Sequence, residues 1–212
     1  MLALVLLVAA STPYVDSQSA LEHRRVELTK LKPADARIAA RAAILAWLEQ
    51  SAFPAWSGTP WDFNGTSTTP GEGTIACGYL VSTVLLHAGF RLERVRLAQQ
   101  ASANIVSTLA RGTKVTRFTP RDNAHALEQM RAKLADGLYV VGFDYHVGFL
   151  RLDGDSASFC HSSFISPGVV TCEDPGPSTA FASRLYVVAD ALNDAVLDDW
   201  LAGRAIKTVR GP

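Results

Sequence analysis

The sequence predicts an α+β domain, and three observations predict it. Apolar residues recur at helical spacing in several runs between Ser19 and Ala135, strand-like runs replace them from Leu138 onward, and Asp153-Gly154 separates two of those runs as the strongest hairpin signal in the chain. At 212 residues the chain makes one domain, or one domain with an extension, and can bury a real core. Its 20 basic residues balance 20 acidic ones, leaving no net field, so nucleic acid is not expected as a partner. No segment of the mature part is long and apolar enough to span a membrane.

Met1 to Ala10 is almost wholly Leu, Val and Ala, and Ser11-Thr12-Pro13 follows. It resembles a secretory apolar region with small residues near a cleavage point, although Lys and Arg are missing ahead of it. Residues 1–20 are therefore read as a signal peptide, which places the protein in the periplasm or outside the cell; a short buried helix would share the pattern. Residues 21–52 form a helical segment, with Leu21, Val26, Leu28 and Leu31, then Ile38, Ala42, Leu45 and Leu48, interrupted at Lys32-Pro33. Residues 53–212 form the functional domain. It opens on a Gly-, Pro- and Ser-rich loop, Phe53 to Gly73, whose aromatics Phe53, Trp56, Trp61 and Phe63 supply either a pocket wall or core plugs.

An apolar helix then runs from Cys77 to a capping Gly89. Further helices are expected over Ala101–Ala110 and Ala124–Ala135, the second capped by Asn123, with a short strand at Thr113–Phe118 between them. Strands follow at Leu138–Phe143, His146–Leu152, Asp155–Ser162, Gly168–Thr171 and Ser183–Val188, and a last helix, Asp194–Leu201, turns Val196, Leu197 and Trp200 to one side.

The chemistry centres on Cys77. In the first turn of a helix, unpaired N–H groups and the macrodipole favour an anion, so the thiol pKa is expected to fall. Cys160 and Cys172 can close a loop worth ~3 kcal/mol in an oxidising compartment, which leaves Cys77 as the odd thiol. If Asp153-Gly154 is a two-residue hairpin loop, Leu152 faces Asp155 and His146 faces His161, with Cβ atoms about 5 Å apart on one face. Cys160 and Tyr145 then point to the opposite face. This arrangement suits a thiol nucleophile (Cys77), a base (His146) and a residue that orients the base (His161). A zinc site on the same three residues is possible by ligand type, but their spacing carries no metal motif, and no metal or cofactor is expected.

Four motifs together resemble the NlpC/P60 cysteine peptidases: Gly58-Thr59-Pro60-Trp61-Asp62-Phe63-Asn64-Gly65-Thr66-Ser67, Ala76-Cys77-Gly78-Tyr79-Leu80-Val81, His146-Val147-Gly148-Phe149 and Phe159-Cys160-His161-Ser162-Ser163. The resemblance implies a papain-like α+β fold, its nucleophile helix packed on a small antiparallel sheet. It also implies hydrolysis of an amide bond in peptidoglycan stem peptides through a thioester, with Cys77, His146 and His161 catalytic and Trp61, Phe63, Gly78 and Ser162 at the substrate. The chain departs from the family pattern where Ala76 stands for the usual Asp, Gly78 for Ser and Trp61 for Tyr. Those departures keep open a different acyl bond, a lipid ester or a protein amide, for the same triad; a non-catalytic wall-binding module is the remaining alternative.

Overall fold

The computed structural model describes residues 13–209. The apolar run at residues 1–10 lies outside them, whereas residues 13–20 form the first half of helix α1 (Pro13–Leu28). Helix α2 (Pro33–Trp47) starts where expected: Lys32 is extended and Pro33 occupies the first turn, where its missing N–H is harmless. The helical stretch does not end before Phe53. It widens into a π turn (Leu48–Ala52) just ahead of Pro54 and continues as α3 (Phe53–Trp56). Of the apolar residues in this segment, Leu21, Leu28 and Leu48 are buried, but Val26, Leu31 and Ile38 stay exposed. Helix α2 instead turns inward the face carrying Ala36, Ala40, Ile44 and Trp47.

Next come α4 (Cys77–His87), β1 (Arg91–Leu92), α5 (Arg94–Ala98), α6 (Ser102–Ala110), β2 (Thr116–Phe118) and α7 (Asn123–Arg131). Strands β3 (Gly137–Gly142), β4 (Val147–Asp153), β5 (Ser156–Ser162), β6 (Val170–Glu173) and β7 (Tyr186–Asp190) follow, then α8 (Asp194–Leu201) and β8 (Ala205–Ile206). Helix α7 is shorter than expected, and its cap is Asp122, whose carboxylate accepts from the His125 N–H at 2.8 Å. The Asn123 amide instead donates to the carbonyls of Pro175, Gly176 and Ser178.

Six strands form one fully antiparallel sheet in the order β2-β7-β3-β4-β5-β6, and β1 and β8 make a separate two-residue parallel pair. The protein is thus α+β, with helices laid on an antiparallel sheet. Helix α4 covers β4 and β5, α6 covers β3 and β7, and α1, α2 and α8 pack together outside them. Strand alternation divides the core between the two faces. Val140, Val147, Phe149 and Cys160 meet the helices, while Tyr139, Val141, Leu150 and Phe159 face Phe118, Met130, Phe181 and Tyr186 on the other side.

Helix α4 is buried along its whole length from Gly78 to Leu85, as a helix apolar on every side must be. Its polar members are satisfied: Ser82 donates to the Tyr79 carbonyl, and the Thr83 hydroxyl accepts from Arg94 Nε at 2.7 Å.

Candidate active site

The loop before α4 is stitched down from both sides. The Ile75 N–H donates to the Pro60 carbonyl and the Ala76 N–H to that of Gly65, each at 2.9 Å. Pro60 bridges Val169, and the Trp61 N–H donates to the Gly168 carbonyl, which ties the loop to the chain entering β6. Ser162 belongs to this scaffold. It is fully buried, lines no cavity beside Cys77, and donates to the Ile75 carbonyl at 2.6 Å, so it braces the loop ahead of α4 where a substrate contact was expected.

Ala76 is extended, and no side chain caps α4, so the N–H groups of its first turn remain free to face the cysteine. Gly78 cannot carry a side chain: a Cβ there would lie 2.3 Å from the Ala98 carbonyl oxygen of α5. Its backbone nevertheless lines both cavities next to Cys77.

The hairpin that brings the histidines together is displaced from expectation. Asp153 pairs with Ser156 and Phe149 with Cys160, so the loop is Gly154-Asp155. Gly154 takes the first loop position with φ of 53°, the place a II′ turn reserves for glycine. His146 precedes β4 and meets His161 diagonally rather than directly opposite. A shift that keeps strand parity preserves the face, and long rings reach across a diagonal pair. His146 Nε2 and His161 Nδ1 are 2.7 Å apart. Cys160 does point to the other face, where it is bonded to its cross-strand partner Cys172 in a disulfide. Tyr145 does not obey the alternation because it lies in the β3–β4 turn; it is 93% exposed and overhangs the cavities beside His146.

Beyond the pair, His161 Nε2 lies 3.1 Å from Glu173 Oε1, and the Ser178 hydroxyl donates to the same oxygen at 2.5 Å. Neither Glu173 nor Ser178 carries a local sequence signal. They reach the site because β6 folds back on β5 and the turn after it closes over the same face. Rings fix the imidazole planes. His161 stacks on Phe159 at 4.2 Å between centroids, and His146 is boxed by Phe143, Phe159 and Phe164 at 5.9, 5.8 and 5.3 Å.

Cys77 is the free thiol among the described cysteines and lines, with His146, two cavities of about 390 and 690 Å³. Burial raises the Cys77 thiol pKa, against the expectation of a fall, while the backbone N–H groups of Gly78, Val147 and Cys77 itself pull it down without prevailing. Burial, followed by the nearby His161, pushes His146 down to about 3. His161 is also lowered, first by burial, with Glu173 acting in the opposite sense. The resting site is therefore a neutral thiol beside two neutral imidazoles rather than a preformed ion pair. Among the buried side-chain nitrogens and oxygens of the described site residues, His146 Nδ1 has no hydrogen-bond partner.

The aromatic loop divides between its two expected roles. Phe53 and Trp56 enter the core, whereas Trp61 and the 80% exposed Phe63 line the larger cavity with Tyr79 and Phe164. Among the described residues no three His, Cys, Asp or Glu side chains are grouped to hold a metal ion, and no helix is long and apolar enough to cross a membrane. No family model, curated protein or solved structure matches the chain.

Proposed function

We propose that the protein is an exported cysteine hydrolase of NlpC/P60 type, with a papain-like arrangement, that cleaves an amide bond in peptidoglycan stem peptides. The observation that carries this reading is the bare, buried Nδ1 of His146 beside the cavities that hold Cys77, with its other nitrogen 2.7 Å from His161. That is what a base needs: one nitrogen anchored, the other free for the nucleophile's proton.

In the proposed reaction Cys77 Sγ attacks the scissile carbonyl and forms an S–C bond as its proton passes to His146 Nδ1. Charge develops on the carbonyl oxygen and on the imidazolium together, starting from neutral partners. The free N–H groups at the start of α4 stabilise the oxyanion. Collapse breaks the C–N bond, and the leaving amine takes the proton from His146 Nδ1. Water, deprotonated by the same nitrogen, then attacks the thioester and returns Cys77 as the thiol.

One observation favours a second reading, in which the acyl group is neutral and apolar. Among the described residues the cavity lined by Trp61, Phe63, Tyr79 and Phe164 has no Asp, Glu, Lys or Arg in its wall, so these offer no counter-ion to a charged stem-peptide residue. Incubating purified protein with sacculi, defined muropeptides, neutral esters and N-acyl amides separates the two. Muropeptide fragments support the first, and turnover confined to neutral acyl compounds supports the second. Cys77→Ala should abolish either activity with the fold intact by circular dichroism; cleavage that survives in that variant contradicts the mechanism.

A further inference from the structure

Among the described residues Glu173 is the charged group in contact with the histidine pair, and its hydrogen bonds have a direction. A carboxylate oxygen can only accept. Ser178 Oγ accepts the Phe181 N–H at 3.1 Å and thereby turns its own proton toward Glu173 Oε1. His161 reaches the same oxygen through Nε2, so that nitrogen carries its ring proton. A neutral imidazole has one N–H, which leaves His161 Nδ1 a bare acceptor. The 2.7 Å contact with His146 Nε2 then requires the donor to be on His146. His146 Nδ1 is left bare in turn, and no hydrogen-bond donor or acceptor partners it.

We propose that Glu173 is a positioning residue that sets the tautomer of both histidines and so keeps His146 Nδ1 in the proton-accepting form. Without an acceptor at Glu173 the same two rings satisfy each other equally well in the reverse sense. His161 Nδ1–H then donates to His146 Nε2, and His146 holds its proton on Nδ1, the atom that must receive one from Cys77.

Two features hold the carboxylate in place. The Cys160–Cys172 disulfide binds β6 to β5 one residue before Glu173, in the register that sets Glu173 opposite Phe159. Phe159 in turn stacks on His161. Nothing in the sequence around Glu173 announces this role, because the determining contact is made across strands.

The inference rests on Cys77 and His146 acting as nucleophile and base, but its test needs no substrate. Long-range ¹H–¹⁵N correlation of the imidazole rings at pH 7 reports which nitrogen bears the proton. The wild-type protein should show Nε2–H for both His146 and His161. Glu173→Leu should convert His146 wholly or partly to Nδ1–H and slow carboxymethylation of Cys77 by iodoacetamide about a hundredfold, the lower end of what a positioned base contributes. Glu173→Gln, whose amide oxygen can still accept from both partners, should restore the wild-type tautomers and most of the rate. A wild-type His146 protonated at Nδ1 would overturn the proposal whether or not any variant folds. So would a folded Glu173→Leu protein with unchanged tautomers and unchanged Cys77 reactivity. Absence of hydrolysis on every acyl substrate, with the tautomers as stated, would instead count against the proposed function alone.

Discussion

Acidification is expected to destabilise the protein through His146, by an amount that follows from its burial. In the folded state burial and His161 hold its pKa at about 3. In the unfolded chain it titrates near the ordinary value of about 6.5. Between those values the unfolded chain binds a proton that the folded protein refuses. Stability is therefore present in full above about pH 6.5 and is lost progressively as the pH falls toward the folded value. Each pH unit inside the window corresponds to about 1.4 kcal/mol, so going from pH 7 to pH 4.5 should cost about 2–3 kcal/mol through this one side chain. The perturbation is His146→Gln, which removes the titration and keeps a donor for His161 Nδ1. Urea unfolding of both proteins at the two pH values gives the assay, and subtracting the variant from the wild type cancels the other titrating groups. The wild type should lose about 2–3 kcal/mol relative to the variant at pH 4.5. A difference that stays constant within about 0.5 kcal/mol would show that His146 is not held neutral by burial.

Three further outcomes are expected. Gly78→Ala should lose about 1–3 kcal/mol in chemical denaturation, because its Cβ would meet the Ala98 carbonyl oxygen at 2.3 Å and α5 would have to move; a neutral substitution would contradict that packing. Reduction of Cys160–Cys172, or its replacement by two alanines, should lower stability by ~3 kcal/mol and the melting temperature with it. Phe63→Ser should leave stability within about 0.5 kcal/mol, since the ring is 80% exposed. On an acyl substrate that fills the aromatic cavity it should raise KM about fivefold, the equivalent of about 1 kcal/mol of lost contact.

Much of the site was legible in the sequence because its signals are local. A cysteine followed by an unbroken apolar run reads as the first turn of a buried helix, and α4 is that helix. Two histidines either side of a hairpin signal share a face by strand parity, which survived even though the turn lies one residue later than the Asp-Gly pair implied. The charge state of the thiol was not legible. The helix terminus is a local effect, but the burial that outweighs it comes from packing against the core, which is assembled from parts of the chain distant in sequence. Ser162 and Glu173 show in opposite directions that neighbourhood in sequence is not neighbourhood in the site. Ser162 sits beside His161 in sequence yet points under the loop, while Glu173 is twelve residues from His161 and meets its ring. The run of helix through the π turn to Trp56 was missed because helical periodicity alone does not reveal how a proline is absorbed.

The proposed function rests on transfer of the Cys77 proton to His146, and the pH dependence of Cys77 carboxymethylation in the wild type and in His146→Gln tests it most directly. The wild type is expected to react near pH 7 about 10²–10⁴ times faster than the variant, which must wait for a thiolate that burial disfavours. Identical profiles for the two proteins, both rising only where an unassisted thiol ionises, would mean that Cys77 and His146 share no proton.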